Sequence, residues 1–171
     1  GRTEGRSRRE VIRRVAAVAG VVAAVLLVAA LIGATAFVMG PLPSRRGRVV
    51  VPNLAAPVDA RFDRQGVPHV RAVVEVDAWR ALGFLHAADR LFQMELRRRA
   101  AAGRLAEIFG AAAVTMDREA RVNGYAALAR RDWDLLSENE RVALEAYADG
   151  VNVFLAENAL PLELRALSFT P

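Results

Sequence analysis

Twenty-five consecutive residues without a charge, Val15 to Met39 (VAAVAGVVAAVLLVAALIGATAFVM), constrain this chain more than any other feature. As a helix rising ~1.5 Å per residue, the run is roughly 37 Å long, enough to cross a hydrocarbon layer of ~30 Å with some tilt. The apolar region of a secretory signal is only about 7–15 residues long. Ala34-Thr35-Ala36 does have the small-residue pattern of a cleavage site. Length favours an uncleaved signal anchor spanning the lipid bilayer through residues 15–39, with secretion after cleavage as the alternative. A buried core helix is the ordinary reading of an apolar run, but charge-free runs this long are rare in soluble folds.

Six arginines precede the run (Arg2, Arg6, Arg8, Arg9, Arg13 and Arg14) and three follow it (Arg45, Arg46 and Arg48). This excess predicts a cytoplasmic flank over residues 1–14 and export of the remainder to the periplasm or cell exterior. Residues 1–48 hold nine arginines against Glu4 and Glu10, a balance of +7, while residues 49–171 hold fifteen arginines against seventeen acids, a balance of −2. The basic excess thus lies outside the part that should fold, which argues against nucleic acid as a partner. Cysteine is absent, so disulfides, a thiolate nucleophile and Cys-based metal sites are excluded.

Gly40 to Arg48 (GPLPSRRGR) reads as a linker, placed at 40–47, and residues 48–171 as the folded part. Val49-Val50-Val51 looks like a short strand. In Val58–Ala72 two alternating runs flank Arg64-Gln65-Gly66, which predicts a β-hairpin with Gly66 at positive φ and Pro68 at an edge or strand start. From Asp77, a candidate N-cap, the period becomes helical, with Ala81, Phe84, Leu85, Ala88, Leu91 and Phe92 on one stripe. Gly103 should end this helix, and Arg104–Phe109 should add a short turn closed by Gly110. A further helix is expected near Asp117–Leu136. Ser137 and Glu140 form a capping box for a helix carrying Val142, Leu144, Ala146, Tyr147, Val151, Phe154 and Leu155, stopped by Pro161.

His86, Asp89, Arg90 and Gln93 fall at i, i+3, i+4 and i+7, on one side of the first long helix. They could be a base with its orienting carboxylate, or two metal ligands. Metal sites usually need three or more protein ligands, however, and His69 is the only other histidine. A buried network that fixes packing is the favoured reading, with Glu95 paired to Arg98 or Arg99. His69, on the second hairpin strand, reads as structural or solvent-facing. The four serines are Ser7, Ser44, Ser137 and Ser168, and none has a visible base. No G-x-S-x-G, H-E-x-x-H or phosphate-binding loop is present. No residue is therefore assigned a catalytic, cofactor-binding or metal role.

Three segments, in order and spacing, resemble the penicillin acylase (penicillin amidase) family of N-terminal-nucleophile hydrolases: GVPHVRA (Gly66–Ala72), ALGFLHAADRLFQMELRRRAAAGRLAEIFG (Ala81–Gly110) and LEAYADGVNVFLA (Leu144–Ala156). The resemblance covers about 48–171, and its most specific part is D-R-L-F-Q-M-E at Asp89–Glu95. Phe62 stands where the family usually has Arg, and Ala88 where Gln or Glu is common; both departures bear on local packing. The resemblance implies an α+β fold, in which this chain supplies the membrane-anchor helix, a β-hairpin and three or four helices of the α chain of an αββα sandwich. It also implies an exported precursor that cuts itself into α chain, spacer and β chain. The new N-terminal Ser of the β chain would be the nucleophile, with its own α-amine, titrating near pH 8, as base.

Those groups, the acyl pocket and the calcium ligands known in several members are expected beyond Pro171. The lack of an initiating Met and the ending LSFTP are read as marks of a longer protein. The partners implied are the remainder of the α chain, the β chain and a small N-acyl substrate such as a β-lactam side chain or an acyl-homoserine lactone. The rival reading is a membrane-anchored helical interaction module without catalysis. It would fold alone, whereas an acylase segment should leave its helix faces uncovered.

Overall fold

A computed structural model describes residues 2–40, 47–167 and 171. It divides into two compact units, residues 1–40 and 41–171.

The first unit is one helix, α1 (Arg2–Met39), which runs unbroken from the basic flank through the apolar run. Its window Ala16–Met39 has 24 residues and a mean hydropathy of 2.7, and it is long and apolar enough to cross a membrane. The Thr35 hydroxyl donates back to the carbonyls of Leu31 (2.6 Å) and Ile32 (3.0 Å). Its polarity is thereby absorbed within the helix, as a hydrocarbon surrounding would require.

The second unit is mostly helical with a two-stranded antiparallel sheet, β1 (Asp59–Phe62) and β2 (Pro68–Arg71). The register pairs Phe62 with Pro68 and Asp59 with Arg71. Gly66 turns the hairpin at φ 82°, and Pro68 opens β2, as its missing N–H demands. Asp63 builds the turn: its Oδ1 accepts from the N–H of Gln65 and Val67 at 2.9 and 2.8 Å. The strand expected at Val49–Val51 does not form. Val50 is 76% exposed, no strand lies beside the segment, and Pro52 cannot donate to a ladder.

Six further helices follow among the described residues: α2 (Glu75–Ala102), α3 (Ala106–Phe109), α4 (Val114–Asn123), α5 (Tyr125–Trp133), α6 (Glu138–Glu157) and α7 (Leu162–Ala166). A 3-10 turn at Gly110–Ala113 joins α3 to α4. Helix α2 ends as expected at Gly103, whose φ of 65° allows its N–H and that of Arg104 to close on Ala100 and Arg99. The helix expected near Asp117–Leu136 is two helices. Gly124, at φ 71°, caps α4 and breaks the chain before α5. The capping box at Ser137 and Glu140 is present with both of its bonds. Helix α6 ends at Asn158, before Pro161, and Pro161 instead opens α7. No periodicity marks a helix there, yet α7 supplies the fully buried Leu164.

The core lies where α2 crosses α6. Ala87, Leu91, Phe154 and Leu164 are buried together, with Phe84, Phe92, Val151 and Leu155 around them. Phe84 and Phe154 meet edge to face at 5.5 Å. Each large apolar side chain buried here contributes about 1.5–3 kcal/mol. Gly83 and Gly150 make the close crossing possible: a Cβ on Gly83 would overlap the Tyr147 carbonyl oxygen, and one on Gly150 that of Arg80. Arg90 has non-helical angles (φ −143°, ψ 29°) inside α2. Beyond this kink Leu91 still packs in the core, and Arg99 reaches Glu107 of α3.

Candidate functional site

Of the polar groups singled out on the first long helix, Glu95 is buried. His86, Asp89, Arg90 and Gln93 are all exposed, so they are not the expected buried network. The apolar stripe beside them took the interface with α6, and their arc of the helix was left to solvent. His86 Nδ1 lies 3.0 Å from the Tyr147 hydroxyl, with the rings edge to face at 5.7 Å. Burial pushes the Tyr147 phenol above its usual pKa. Asp89 pairs with Arg90 at 3.0 Å.

The buried charges are Asp77, Arg80, Glu95, Arg99 and Asp117. Asp77 is not the N-cap of α2; Val74 holds that position, without a side-chain cap bond. Asp77 instead faces inward at 2% exposure and accepts from the backbone N–H of Ala55 and Ala56 at 3.0–3.1 Å. Arg80 lies 3.5 Å from that carboxylate and donates to the Asn53 carbonyl at 2.9 Å. Together they strap loop 53–56 onto the first turns of α2. Asp117 does the same at the other end, accepting from the N–H of Leu105 (2.7 Å) and Ala106 (2.8 Å) where α3 begins. A carboxylate there satisfies two N–H groups that the short helix leaves open.

Glu95 was expected to pair with Arg98 or Arg99, and it pairs with both. Arg98 donates through Nε and one terminal nitrogen, each at 2.8 Å, and Arg99 Nε donates at 2.5 Å. Arg99 also bonds Glu107, which is held in turn by Arg104. Burial raises the Glu95 carboxyl pKa, but the hydrogen bonds and charges of the two arginines outweigh it and hold the group below its usual value. The Arg104 hydrogen bond likewise holds Glu107 down.

His69 stays exposed on β2, with Nε2 3.2 Å from Asp63 Oδ2. The Asp63 carboxyl is held down chiefly by the Val67 N–H. A cleft of about 630 Å³ runs along this hairpin past Arg61, Phe62, His69 and Arg71. A second, of about 450 Å³, lies between Ala106, Val114, Arg118 and Val122, with Asp117 at its edge. Neither is lined by Ser, Thr, Lys or Tyr, and the Asp117 oxygens already hold Leu105 and Ala106. Among the described residues, no three His, Cys, Asp or Glu side chains are grouped to hold a metal ion. Ser137 is engaged in its cap, and Ser44 and Ser168 lie outside the described residues.

The buried carboxylates and arginines of the second unit are bonded to its backbone and to one another. The penicillin amidase family model matches residues 57–171, and the chain belongs to that family. It is 48% identical over 131 residues to the penicillin acylase 2 proenzyme of Pseudomonas sp. (strain SE83), covering 76% of this chain and 17% of the relative. It is 35% identical over 155 residues to the acyl-homoserine lactone acylase QuiP of Pseudomonas fluorescens, covering 89% of this chain and 19% of the relative. Since 89% of 171 residues is about 152, that alignment extends into α1. A solved structure, the thermostable penicillin G acylase from Alcaligenes faecalis, matches with a TM-score of 0.61 and 35% identity over 67% of this chain and 64% of that one. This chain therefore spans less than a fifth of the length of these curated relatives.

Proposed function

We propose that this chain is the N-terminal part of an exported acylase precursor that hydrolyses the amide of an N-acyl compound after cutting itself into two chains. The observation that carries the reading is the family match over residues 57–171, together with relatives named as penicillin and acyl-homoserine lactone acylases. A relative named as a proenzyme supports the processing step. The substrate is a β-lactam side-chain amide, an acyl-homoserine lactone or a similar N-acyl compound.

In this reading residues 57–171 are scaffold and carry none of the reacting groups. The nucleophile is the N-terminal Ser of the β chain. It attacks the substrate carbonyl while its α-amine takes the hydroxyl proton. Donors outside these residues hold the oxyanion, and calcium, where the enzyme needs it, is bound outside them as well. The scaffold role agrees with the geometry: the carboxylates of Asp77, Asp117 and Glu95 are already occupied by donors of the protein itself. Helix α1 acts as a signal anchor, with its N-terminus cytoplasmic and the folded unit outside.

The test is to sequence the coding DNA in frame past Pro171 and assay the encoded product. The expected result is several hundred further codons, including a small-residue–Ser junction, and loss of amide hydrolysis on changing that Ser to Ala. A stop codon directly after Pro171 would contradict the enzyme reading and leave an anchored interaction module.

A further inference from the structure

Helices α2, α4 and α6 each bury at least two residues, whereas the nine residues of α5 bury none. The sequence of α5 is nevertheless patterned for burial. Tyr125, Leu128, Ala129, Asp132 and Trp133 fall at i, i+3, i+4, i+7 and i+8, which at about 100° per residue is one arc of roughly 140°. Tyr125, Leu128 and Trp133 are all more than one third exposed. Arg130 and Arg131 lie outside the arc. Asp132 lies inside it, and its carboxylate has no partner among the described residues. That carboxylate decides what covers the face. A lipid surface would strip water from it and offer no donor, and an acid on the apolar side is contrary to the pattern of membrane-surface helices. A protein segment can supply the donor. The residues matched in the penicillin acylase 2 proenzyme are 17% of that relative, so most of such a protein lies outside them.

We propose that α5 docks a segment of the same protein encoded beyond Pro171, apolar where it meets Tyr125, Leu128 and Trp133 and carrying a cation against Asp132. The inference rests on reading this chain as the N-terminal part of a longer acylase, and it names the face that holds the remainder. Tyr125 and Trp133 suit such a face, because large aromatic side chains supply much contact area and are enriched at protein interfaces. A cation opposite Asp132 would fix the register of the docked segment, because the carboxylate is costly to cover without one.

The experiment uses the product of the complete reading frame in membranes of the producing cells. The photoreactive residue p-benzoylphenylalanine is placed at Leu128, or at Ala127 on the opposite side of α5, and the joined peptides are identified by mass spectrometry after irradiation. The expected result is a link from position 128 to a peptide encoded after Pro171, about tenfold more abundant than any link from position 127 and unchanged on dilution. Asp132→Arg should lower that yield, and Asp134→Arg should not. Links to lipid, links to residues 1–171 of a second copy that fade on dilution, equal yields from positions 127 and 128, or equal effects of the two Asp variants would overturn the inference. Where the bulky probe prevents folding, Leu128→Cys should react with a maleimide about tenfold more slowly than Ala127→Cys in the native protein and equally fast in denaturant. Equal native rates would overturn the inference. Amide hydrolysis by the parent product is read separately: its presence with any of these failures overturns the docking face alone, and its absence overturns the acylase reading.

Discussion

Glu95 and Arg99 are both about 4% exposed and bonded to each other, with Glu95 also holding Arg98 and Arg99 also holding Glu107. Removing one member of such a pair leaves an uncompensated buried charge, which costs about 3–5 kcal/mol. Glu107 also bonds Arg99 and would remain in a Glu95→Ala variant. The expected loss is therefore near the lower figure, ~3 kcal/mol, read as a lowered denaturation midpoint of the complete protein. Glu95→Leu combined with Arg99→Met should recover a good part of it, because neither charge is then stranded. The same pair sets a pH dependence. Glu95 and Glu107 are held below the usual Glu value of 4.5, so the unfolded chain binds more protons in acid than the folded one. Their contribution is fully present above about pH 4.5 and is lost as pH falls through their folded values. Denaturation midpoints measured from pH 6 down to pH 3 should fall for the parent and fall less for Glu95→Gln.

The pairing of Glu95 was legible in the sequence because i, i+3 and i+4 spacing brings opposite charges together within one helix. The roles of Asp77 and Asp117 were not. Each holds backbone N–H groups 11 to 22 residues away, and no local pattern marks such a partner. His86, Asp89 and Gln93 misled for the converse reason: they border the apolar stripe, but a few tens of degrees of helix rotation decide which side of the boundary is covered.

At the scale of elements, the crossing of α2 and α6 depends on two glycines that helix propensity alone would disfavour by about 1 kcal/mol each. An exposed helical Gly→Ala change usually stabilises. Gly83→Ala and Gly150→Ala should instead destabilise by about 1–3 kcal/mol, because the new methyl meets backbone of the facing helix and the two axes must part. Thermal unfolding of the complete protein checks the sign. A glycine inside a periodic helix pattern was the available signal for this contact, but it could not name the partner. The capping box at Ser137 was readable because its bonds span only three residues, and Ser137→Ala should cost about 1 kcal/mol. Gly124 divides a helix that periodicity alone joined, and α7 went unread because five residues are too few to show a period.

At the scale of the whole molecule, the second unit presents much apolar surface. Val114, Met116, Val122, Tyr125, Leu128, Trp133 and Leu135 are all more than one third exposed along α4, α5 and the turn after it. Surface of this kind normally marks an interaction site. Residues 48–171 produced alone should bind an apolar dye and lack a sharp thermal transition. The central claim is that these residues are acylase scaffold and that the chemistry resides in the rest of the protein. Its most direct test is an assay for carboxylate release from N-acyl substrates, comparing residues 1–171 with the product of the complete reading frame. The expected result is hydrolysis by the complete product and none by residues 1–171. Hydrolysis by residues 1–171 alone, or none by the complete product across penicillin and acyl-homoserine lactone substrates, would contradict it.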